Sequence, residues 1–486
     1  MRRLSLPLPV IVSIAVFLGF FGLTRNSFSL DEVSSIYFSQ DWLNMWKSAW
    51  LYEGNMWFYY LLLHFWQRLG TGELLVRSLS VLFGILTVPV FYKLARIFSG
   101  ERLARTATLL LVTNLLFVFY AQQARSYSLL LFLVTLSSLL FLKLLHRPAS
   151  LKYLVLYLLT ASLAFYSHLL AGLVILTHYI SLLFIPRLVP WKKFIVLSIG
   201  IFVSLIPLLV SPAFRGHQID WMQNPQLTLL PLTAVVLSGD LLVTTAIYGL
   251  VVLWLLWKNK NIFQSPDRDK HKFIFLLLWA GFPVISAFLF SEFVKPLYEP
   301  EHFIISLPAL LILVALALES INNPKWLSKI LIALVLIFSG FRLFTWYSGR
   351  KNPHWVINNI NPRDWRSLAG YIESQAQPTD AVMFYAYYSR FPFAYYFNAQ
   401  KASVLEISSG AYPRGGGTVL PDPDLALLDS LSQTHDRVWL ILSYHDSPGL
   451  KQINQLSEIE RQLEKNFTLT KTIDFNQIEV QLFEAK

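Results

Sequence analysis

Long apolar runs, separated by short polar segments, recur along the first 346 residues of the chain. An α-helix of about 20 apolar residues crosses the hydrocarbon layer of a membrane. The pattern therefore predicts eleven membrane-spanning helices, and it changes after residue 346 to short apolar segments between polar turns. The predicted spans are residues 8–24, 73–92, 106–121, 127–145, 153–167, 169–186, 194–211, 240–257, 273–290, 303–320 and 329–346.

The first apolar run follows Arg2 and Arg3, as the apolar part of a secretory signal peptide does. No small-residue cleavage site follows Met1–Gly22, and many further apolar runs do. We therefore expect this run to be a retained first span.

The distribution of lysine and arginine supports the number of spans. One set of alternate loops contains 19 of these residues, and the other set contains 6. Short loops rich in lysine and arginine face the cytoplasm. The N-terminus is therefore predicted inside the cell, and an odd number of spans places the C-terminal segment outside.

The first outer loop and the C-terminal segment have their own patterns. Trp42–Trp50 and Trp57–Trp66 predict short amphipathic helices along the membrane surface, where tryptophan and tyrosine are enriched. Residues 347–486 alternate predicted helices with short apolar strands, which is typical of a small α/β domain. The predicted fold is an all-α membrane bundle, residues 1–346, followed by an extracytoplasmic α/β domain, residues 347–486. Its elements are helices Asp364–Ala376 and Ile453–Lys465, strands Ala381–Tyr385, Arg437–Ser443 and Ile478–Phe483, and turns at Pro413–Gly417 and Pro421–Pro423.

Composition excludes several functional classes. The chain is 55% hydrophobic and 14% charged, whereas soluble domains carry about 25% charged residues. The net charge of +11 lies mainly in the short loops, where it sets orientation, so no nucleic acid partner is expected. The absence of cysteine excludes disulfides, thiol catalysis and cysteine metal sites.

Ionisable residues close to the hydrocarbon layer are costly, and each is a candidate for function. The candidates of this chain share one predicted depth, at the outer ends of the spans. They are Asp31, Glu32, Arg125, His168, Asp240, Glu299, Glu301 and His302.

Three of these candidates suit a reaction at a phosphate. Adjacent carboxylates at Asp31–Glu32 can supply a general base and a metal anchor, although Asp31 can equally cap the next helix. The guanidinium of Arg125 suits bidentate contact with a phosphate, although an arginine at this depth can also reach lipid headgroups.

The other candidates have equally plain alternatives. His168 can bind a metal or donate to a phosphate, and it can also be a hydrogen-bonded packing residue. Glu301 and His302 can contact a ligand or form an interfacial ion pair. Asp240 can contact sugar hydroxyls or cap the eighth span. The aromatic residues of the first outer loop can stack on sugar or anchor the chain at the interface.

Signatures of soluble enzymes are missing: the sequence has no phosphate-binding glycine-rich loop, no zinc-protease helix motif and no G-x-S-x-G. A nucleotide-sugar site is therefore not indicated. A donor that carries its phosphate at the membrane surface explains this absence.

The sequence resembles the GT-C membrane glycosyltransferases over nearly its whole length. It is most similar to the bacterial branch related to protein O-mannosyltransferases and aminoarabinose transferases. The order of the motifs carries the resemblance. They are Leu30–Glu32, Tyr59–Trp66, Val76–Gly84, Tyr120–Tyr127, Tyr166–His168, Glu299–Phe303 and Asp364–Ala369.

The resemblance implies inverting transfer from a polyprenyl-phosphate sugar to a lipid, glycan or protein acceptor at the outer face of the bacterial plasma membrane. Asp31 would be the general base, and Glu32 would support it or join a metal site. Arg125 and Tyr127 would hold the donor phosphate. Tyr59, His168, Asp240 and Glu301 would line the substrate cavity, with surrounding membrane lipids as further contacts.

Three departures from the family pattern leave open which donor is used and whether a divalent metal ion is needed. The candidate ligands for such an ion are Asp31, Glu32 and His168. Gln123 stands where relatives often have an acid before the Ala-Arg pair. The segment before the two tyrosines has Asn55-Met56-Trp57 instead of a His-Pro-Pro-like sequence. Many relatives have arginine near Glu301, so His302 would take over as the phosphate contact.

Two other functional classes compete with a transferase. A flippase for lipid-linked glycans needs a polar path through the bundle, whereas the candidate charges gather at one face. An anchored outer sensor or scaffold does not need eleven spans.

Overall fold

The chain folds into bundled helices followed by a small mixed sheet. A computed structural model describes residues 6–215, 222–261, 267–321, 323–349, 363–398, 400, 402–405, 428, 430–443 and 456–486. These residues divide into two compact units. The first unit holds residues 6–23, 38–215 and 222–349, and the second holds 24–37 and the described residues from 363 onward. Asp31 and Glu32 therefore belong to the second unit.

The first unit is helical throughout its regular structure. Six of its helices are long and apolar enough to cross a membrane, and a bent pair would add a seventh span. Its helices are α1 Leu8–Phe20, α3 Trp42–Leu51, α4 Trp57–Trp66, α5 Glu73–Val112, α6 Leu115–Ala121, α7 Tyr127–His146, α8 Leu151–Ser167, α9 Ala171–Leu182, α10 Trp191–Val210, α11 Leu229–Leu237, α12 Leu242–Lys258, α13 Asp267–Phe293, α14 Leu307–Ser320 and α15 Lys325–Tyr347, and α2, Leu30–Gln40, joins the two units.

The predicted all-α membrane bundle is confirmed in its class, with at least six apolar spans. All eleven predicted segments are mainly helical, and the number that cross the membrane stays a prediction. Helices α1, α8 and α9 are apolar but only 13, 17 and 12 residues long.

The second and third predicted spans both lie within α5, whose two helical stretches are separated by a kink. The backbone is non-helical at Ser99 and Gly100 between the two predicted spans, and Gly100 takes a φ of 77°. A side chain is strained in that left-handed region, which favours glycine. The third span then breaks before α6, because the Asn114 side chain accepts from Phe117 N and donates to the Leu237 carbonyl 3.0 Å away.

The predicted eighth span begins with a sharp bend. Helices α11 and α12 meet at 93°, and the turn between them contains Gly239 and Asp240, both with positive φ. Helix α12 therefore starts at Leu242, and Asp240 is not its cap. Helix α11 was not predicted.

The two short helices predicted in the first outer loop are confirmed as α3 and α4. Asp41 caps α3 by accepting from Asn44 N at 2.8 Å. Trp42, Trp46 and Trp50 repeat every fourth residue, so they share one face of the helix, and each is about two-fifths exposed within the chain. Their location at a membrane surface stays a prediction.

The second unit contains a five-stranded sheet of order β2-β1-β3-β5-β4, in which β1 pairs in parallel with β2 and β3. Strand β5 lies antiparallel between β3 and β4. Apolar side chains from both faces of the sheet form two buried clusters. The elements are α16 Trp365–Gln375, β1 Asp380–Phe384, α17 Arg390–Tyr396, β2 Ser403–Leu405, β3 Arg437–Ser443, α18 Leu456–Asn466, β4 Phe467–Phe475 and β5 Ile478–Ala485.

Three predicted strands and two predicted helices of this domain are confirmed by β1, β3, β5, α16 and α18. Strand β4 was missed because it lies at the sheet edge and is mostly exposed, so its sequence is polar. The predicted turns at Pro413–Gly417 and Pro421–Pro423, and the start of the predicted helix at Ile453, lie outside the described residues.

Candidate functional site

Hydrogen bonds with α1 and α5 hold the turn between α6 and α7, which contains Arg125. The side-chain nitrogen of Gln122, Nε2, donates to the backbone carbonyls of Leu18 and Phe21 at the end of α1, each 2.9 Å away. Ser80 Oγ donates to the Arg125 carbonyl at 3.2 Å. Buried Tyr59 is hydrogen-bonded to the same Ser80 hydroxyl at 3.0 Å. These bonds fix the backbone from which the Arg125 guanidinium extends.

Three rings from separate elements meet in the first unit. The Tyr127 ring lies 5.8 Å from His168 and 5.9 Å from His302, between ring centroids, and His168 lies 5.6 Å from His302. Tyr127 opens α7, His168 lies between α8 and α9, and His302 lies in the 3-10 helix Pro300–Ser306. The predicted donor-phosphate residues Tyr127 and His302 are therefore neighbours.

His168 is buried and neutral in this arrangement. Burial, the adjacent His302 and the Arg125 guanidinium, in that order, lower the pKa of His168 well below its usual value. His168 Nδ1 accepts from Leu170 N at 3.2 Å. A neutral ring that accepts at Nδ1 carries its proton on Nε2, so Nε2 is a hydrogen-bond donor.

We expect His168 to make the folded state sensitive to acid. Below pH 6.5 the unfolded chain gains a proton that the buried ring does not, so stability is lost as pH falls. His168→Gln should reduce this dependence by up to about 1.4 kcal/mol per pH unit between pH 6.5 and 5. Unfolding in SDS-titrated micelles measures it. An unchanged slope would contradict a neutral, buried His168.

The cluster around Arg125 suits an anion. A guanidinium forms charge-assisted, bidentate hydrogen bonds with phosphate, and a neutral imidazole N–H adds a donor. The Glu301 side chain is buried directly before His302, and burial raises the pKa of Glu299, which lies two residues before Glu301.

The two predicted catalytic acids differ in their surroundings. Ser29 N donates to a Glu32 carboxylate oxygen at 3.0 Å, and Glu32 N donates to Ser29 Oγ at 3.3 Å. This reciprocal pair is a capping box at the start of α2. Glu32 is therefore buried in the cap, whereas Asp31 is exposed within the chain. The cap is formed by Ser29 and Glu32, and not by Asp31 as the alternative interpretation had it.

Asp240 forms a buried ion pair with Arg342 of α15, with a Nη2–Oδ2 distance of 2.5 Å. The two side chains are 0% and 5% exposed. The pair joins the bend between α11 and α12 to the C-terminal half of α15. Sequence reasoning did not single out Arg342, although an arginine inside a predicted span was a signal for a buried partner.

Breaking this pair is expected to destabilise the bundle. Asp240→Asn leaves a buried guanidinium without its counter-charge, at a cost of about 3–5 kcal/mol. The double variant Asp240→Asn/Arg342→Met should recover most of that loss. The midpoint of unfolding in SDS-titrated micelles measures both. Loss of activity at unchanged stability would contradict this structural role and favour the predicted contact with substrate.

No group of three or more His, Asp or Glu side chains that could hold a metal ion is present among the residues that the structure describes. Two of the candidate metal ligands already accept hydrogen bonds. His168 Nδ1 already accepts a backbone hydrogen bond, and a Glu32 oxygen serves the cap. A metal ligand needs an available lone pair, which a protonated Nε2 lacks.

Residues 56–213 match the family model described as dolichyl-phosphate-mannose-protein mannosyltransferase. No curated protein matches the sequence. Among solved structures, ArnT from Cupriavidus metallidurans bound to undecaprenyl phosphate aligns with a TM-score of 0.60 and 13% identity, over 98% of this chain and 97% of that chain. The chain has the GT-C fold of membrane glycosyltransferases. The resemblance found in the sequence is thereby confirmed.

The chain is also similar in fold to a second group of solved structures. The oligosaccharyltransferase AglB from Archaeoglobus fulgidus, with an inhibitory peptide and a dolichol-phosphate, gives a TM-score of 0.59 at 11% identity, covering 97% of this chain and 74% of that chain. A structure of that organism's enzyme with Zn and sulfate gives 0.53 at 11% identity, over 97% and 73%. With its apolar helices, this GT-C chain is a multi-pass membrane protein.

Proposed function

We propose that this protein transfers a sugar from a polyprenyl-phosphate donor to an acceptor at the outer face of the plasma membrane. One observation carries the proposal: Arg125, His168, Tyr127 and His302 come together in the first unit. Support comes from the family match, which spans three of these residues, and from the polyprenyl phosphates bound in two structures of the same fold.

In this proposal the cluster holds the donor phosphate. Arg125 neutralises the charge that grows on the phosphate as it leaves, which is the interaction that lowers the barrier. His168 donates from Nε2, and His302 and Tyr127 complete the contact. Tyr59 acts through Ser80 on the position of the Arg125 backbone. Glu301 is assigned to the cavity wall beside His302.

Asp31 is the proposed general base. The acceptor oxygen bonds to the anomeric carbon from the face opposite the phosphate, and the bond from that carbon to the phosphate oxygen breaks. The acceptor proton moves to the Asp31 carboxylate, and the polyprenyl phosphate leaves. A single displacement of this kind inverts the anomeric centre. Because Glu32 serves the helix cap, the base role falls to Asp31.

No step in this mechanism passes through a metal ion. One structure with this fold was obtained with Zn, and a bound divalent ion would stabilise a leaving phosphate. Two of the candidate ligands already use a lone pair in hydrogen bonds, His168 with Leu170 N and Glu32 with Ser29 N. In the proposal the positive charge comes from Arg125.

The proposal is tested by incubating purified protein with polyprenyl phosphates that carry hexoses or pentoses, and with nucleotide sugars. We expect free polyprenyl phosphate to be released from at least one lipid donor and no release of nucleotide from the soluble donors. Turnover of a nucleotide sugar alone, or of no lipid-linked donor, would overturn the proposed donor class.

A further inference from the structure

The segment Thr24–Ser29, which precedes the acidic pair, has no regular secondary structure, yet Ser27 and Phe28 are buried. Backbone N–H and C=O groups in such a segment need partners to be buried at low cost. In the second unit these partners come from the C-terminal domain, 336 to 368 residues further along the chain. The domain therefore takes part in shaping the segment directly before α2, the helix that carries Asp31.

Tyr396 supplies the contact nearest to the acidic pair. Its hydroxyl accepts a hydrogen bond from Phe28 N at 2.8 Å. The Phe28 side chain is fully buried, and its ring packs edge-on against Tyr395 at 5.1 Å. Two residues of α17 therefore hold Phe28: Tyr396 contacts its backbone and Tyr395 contacts its side chain.

The start of α16 and the residues just before it hold the rest of the segment. Arg366 Nη2 donates to the Thr24 carbonyl at 3.0 Å and to that of Asn26 at 3.4 Å. Ser27 Oγ donates to the Arg363 carbonyl at 2.7 Å and accepts from Trp365 N at 3.1 Å. The Arg366 guanidinium also lies 5.8 Å from the centre of the Tyr396 ring, which links the two helices at this loop.

These contacts end where the helix cap begins. Ser29, directly after Phe28, forms the capping box with Glu32, and Asp31 is the second residue of α2. Since the cap fixes where the first helical turn starts, a shift of Phe28 moves the Asp31 carboxylate with it. A general base must stay within hydrogen-bond reach of its proton, so a small displacement is sufficient to slow the reaction.

We propose that Tyr396, supported by Arg366, is a positioning residue for Asp31, and that the C-terminal domain is thereby part of the catalytic unit. This inference rests on the proposed role of Asp31. It assigns the domain a function in catalysis that is separate from any binding of acceptor.

The first test measures the loop without any substrate. Tyr396→Phe keeps the ring and removes the oxygen that accepts from Phe28 N. Hydrogen–deuterium exchange of peptides within residues 24–32 should become about tenfold faster, because a backbone hydrogen bond is lost. Tyr371→Phe is the matched control, since that hydroxyl bonds Lys471 elsewhere in the domain. Arg366→Gln should also speed exchange while keeping a polar side chain.

The second test links the loop to the chemistry. With a lipid donor that supports turnover, Tyr396→Phe should lower kcat about tenfold with donor KM within twofold. In the Asp31→Asn background the same substitution should change kcat less than twofold, because the carboxylate it positions is gone. Tyr371→Phe should have no effect in either background, and unfolding midpoints identify any variant that has lost its fold.

Each outcome has a distinct meaning. Unchanged exchange in both Tyr396→Phe and Arg366→Gln overturns the positioning inference alone. Faster exchange with unchanged kcat, or equal losses in both Asp31 backgrounds, overturns it as well. Full activity of Asp31→Asn removes the base from the proposed function and the positioning role with it. Faster exchange with a kcat loss confined to the wild-type Asp31 background supports the inference.

Discussion

Replacing Arg125 with alanine is expected to lower kcat/KM for the lipid donor by about 10²–10³-fold. The guanidinium contacts charge that develops on the leaving phosphate, and removing one preorganised donor of this kind costs about that much. Arg125→Lys keeps the charge without the planar fork, so it should recover part of the activity. The rate at which free polyprenyl phosphate is released measures the activity of the wild type and of the two Arg125 variants.

Arg68→Ala is the matched control for Arg125. Arg68 is an exposed arginine of the predicted first outer loop, and it lies over the Phe65 ring, 5.0 Å from its centre. It shares the charge and the predicted side of the membrane with Arg125, but it lies outside the ring cluster. Equal losses in the two variants, or full activity of Arg125→Ala, would contradict a phosphate site at Arg125.

Asp31→Asn is expected to lower kcat by about 10²–10⁴-fold while leaving donor KM nearly unchanged, because the base acts on the acceptor. Glu32→Gln removes the same charge one residue later. Glutamine also forms capping boxes, so this variant should keep α2 intact and lose less than tenfold in activity. Steady-state release of polyprenyl phosphate, with the acceptor saturating, measures both.

The pair of acid variants separates catalysis from helix capping. Glu32→Ala should lower stability by about 1 kcal/mol, since it removes the carboxylate that accepts from Ser29 N, and Asp31→Asn should not. A larger loss of kcat in Glu32→Gln than in Asp31→Asn would transfer the base role to Glu32. Full activity in both would remove the acidic pair from the mechanism.

Much of the fold follows from hydrophobic runs, because a span must bury about 20 apolar residues whatever its neighbours are. Hydrophobic runs do not predict how two consecutive spans are connected. The kink at Gly100 sets how the second and third predicted spans connect, and the bend before Leu242 depends on Gly239 and Asp240. Such features are set by single backbone conformations, which hydrophobic periodicity does not record.

The sequence predicts part of the candidate site, namely the charged and polar side chains at one depth, but not their partners. The sequence predicts Arg125, His168 and His302 as site residues because charged or polar side chains at one predicted depth are costly unless they serve a function. It predicts Asp240 on the same ground, and the partner of Asp240, Arg342, lies 102 residues away, where no local pattern points to it.

The first outer loop shows the same limit. The sequence divides at residue 347, whereas residues 24–37 group with the C-terminal domain. The hydrogen bonds that join residues 24–28 to the C-terminal domain link positions more than 330 residues apart, as between Ser27 and Arg363. Contacts of that separation arise from tertiary packing, so composition and spacing along the chain carry no record of them.

The most direct test of the account uses the protein in sealed liposomes with a polyprenyl-phosphate sugar labelled in both the lipid and the sugar, together with a saturating acceptor. The account predicts that one free polyprenyl phosphate appears for each sugar transferred, and that the product has the opposite anomeric configuration to the donor. Movement of intact donor across the bilayer, with neither release nor transfer, would contradict a transferase and establish the flippase alternative.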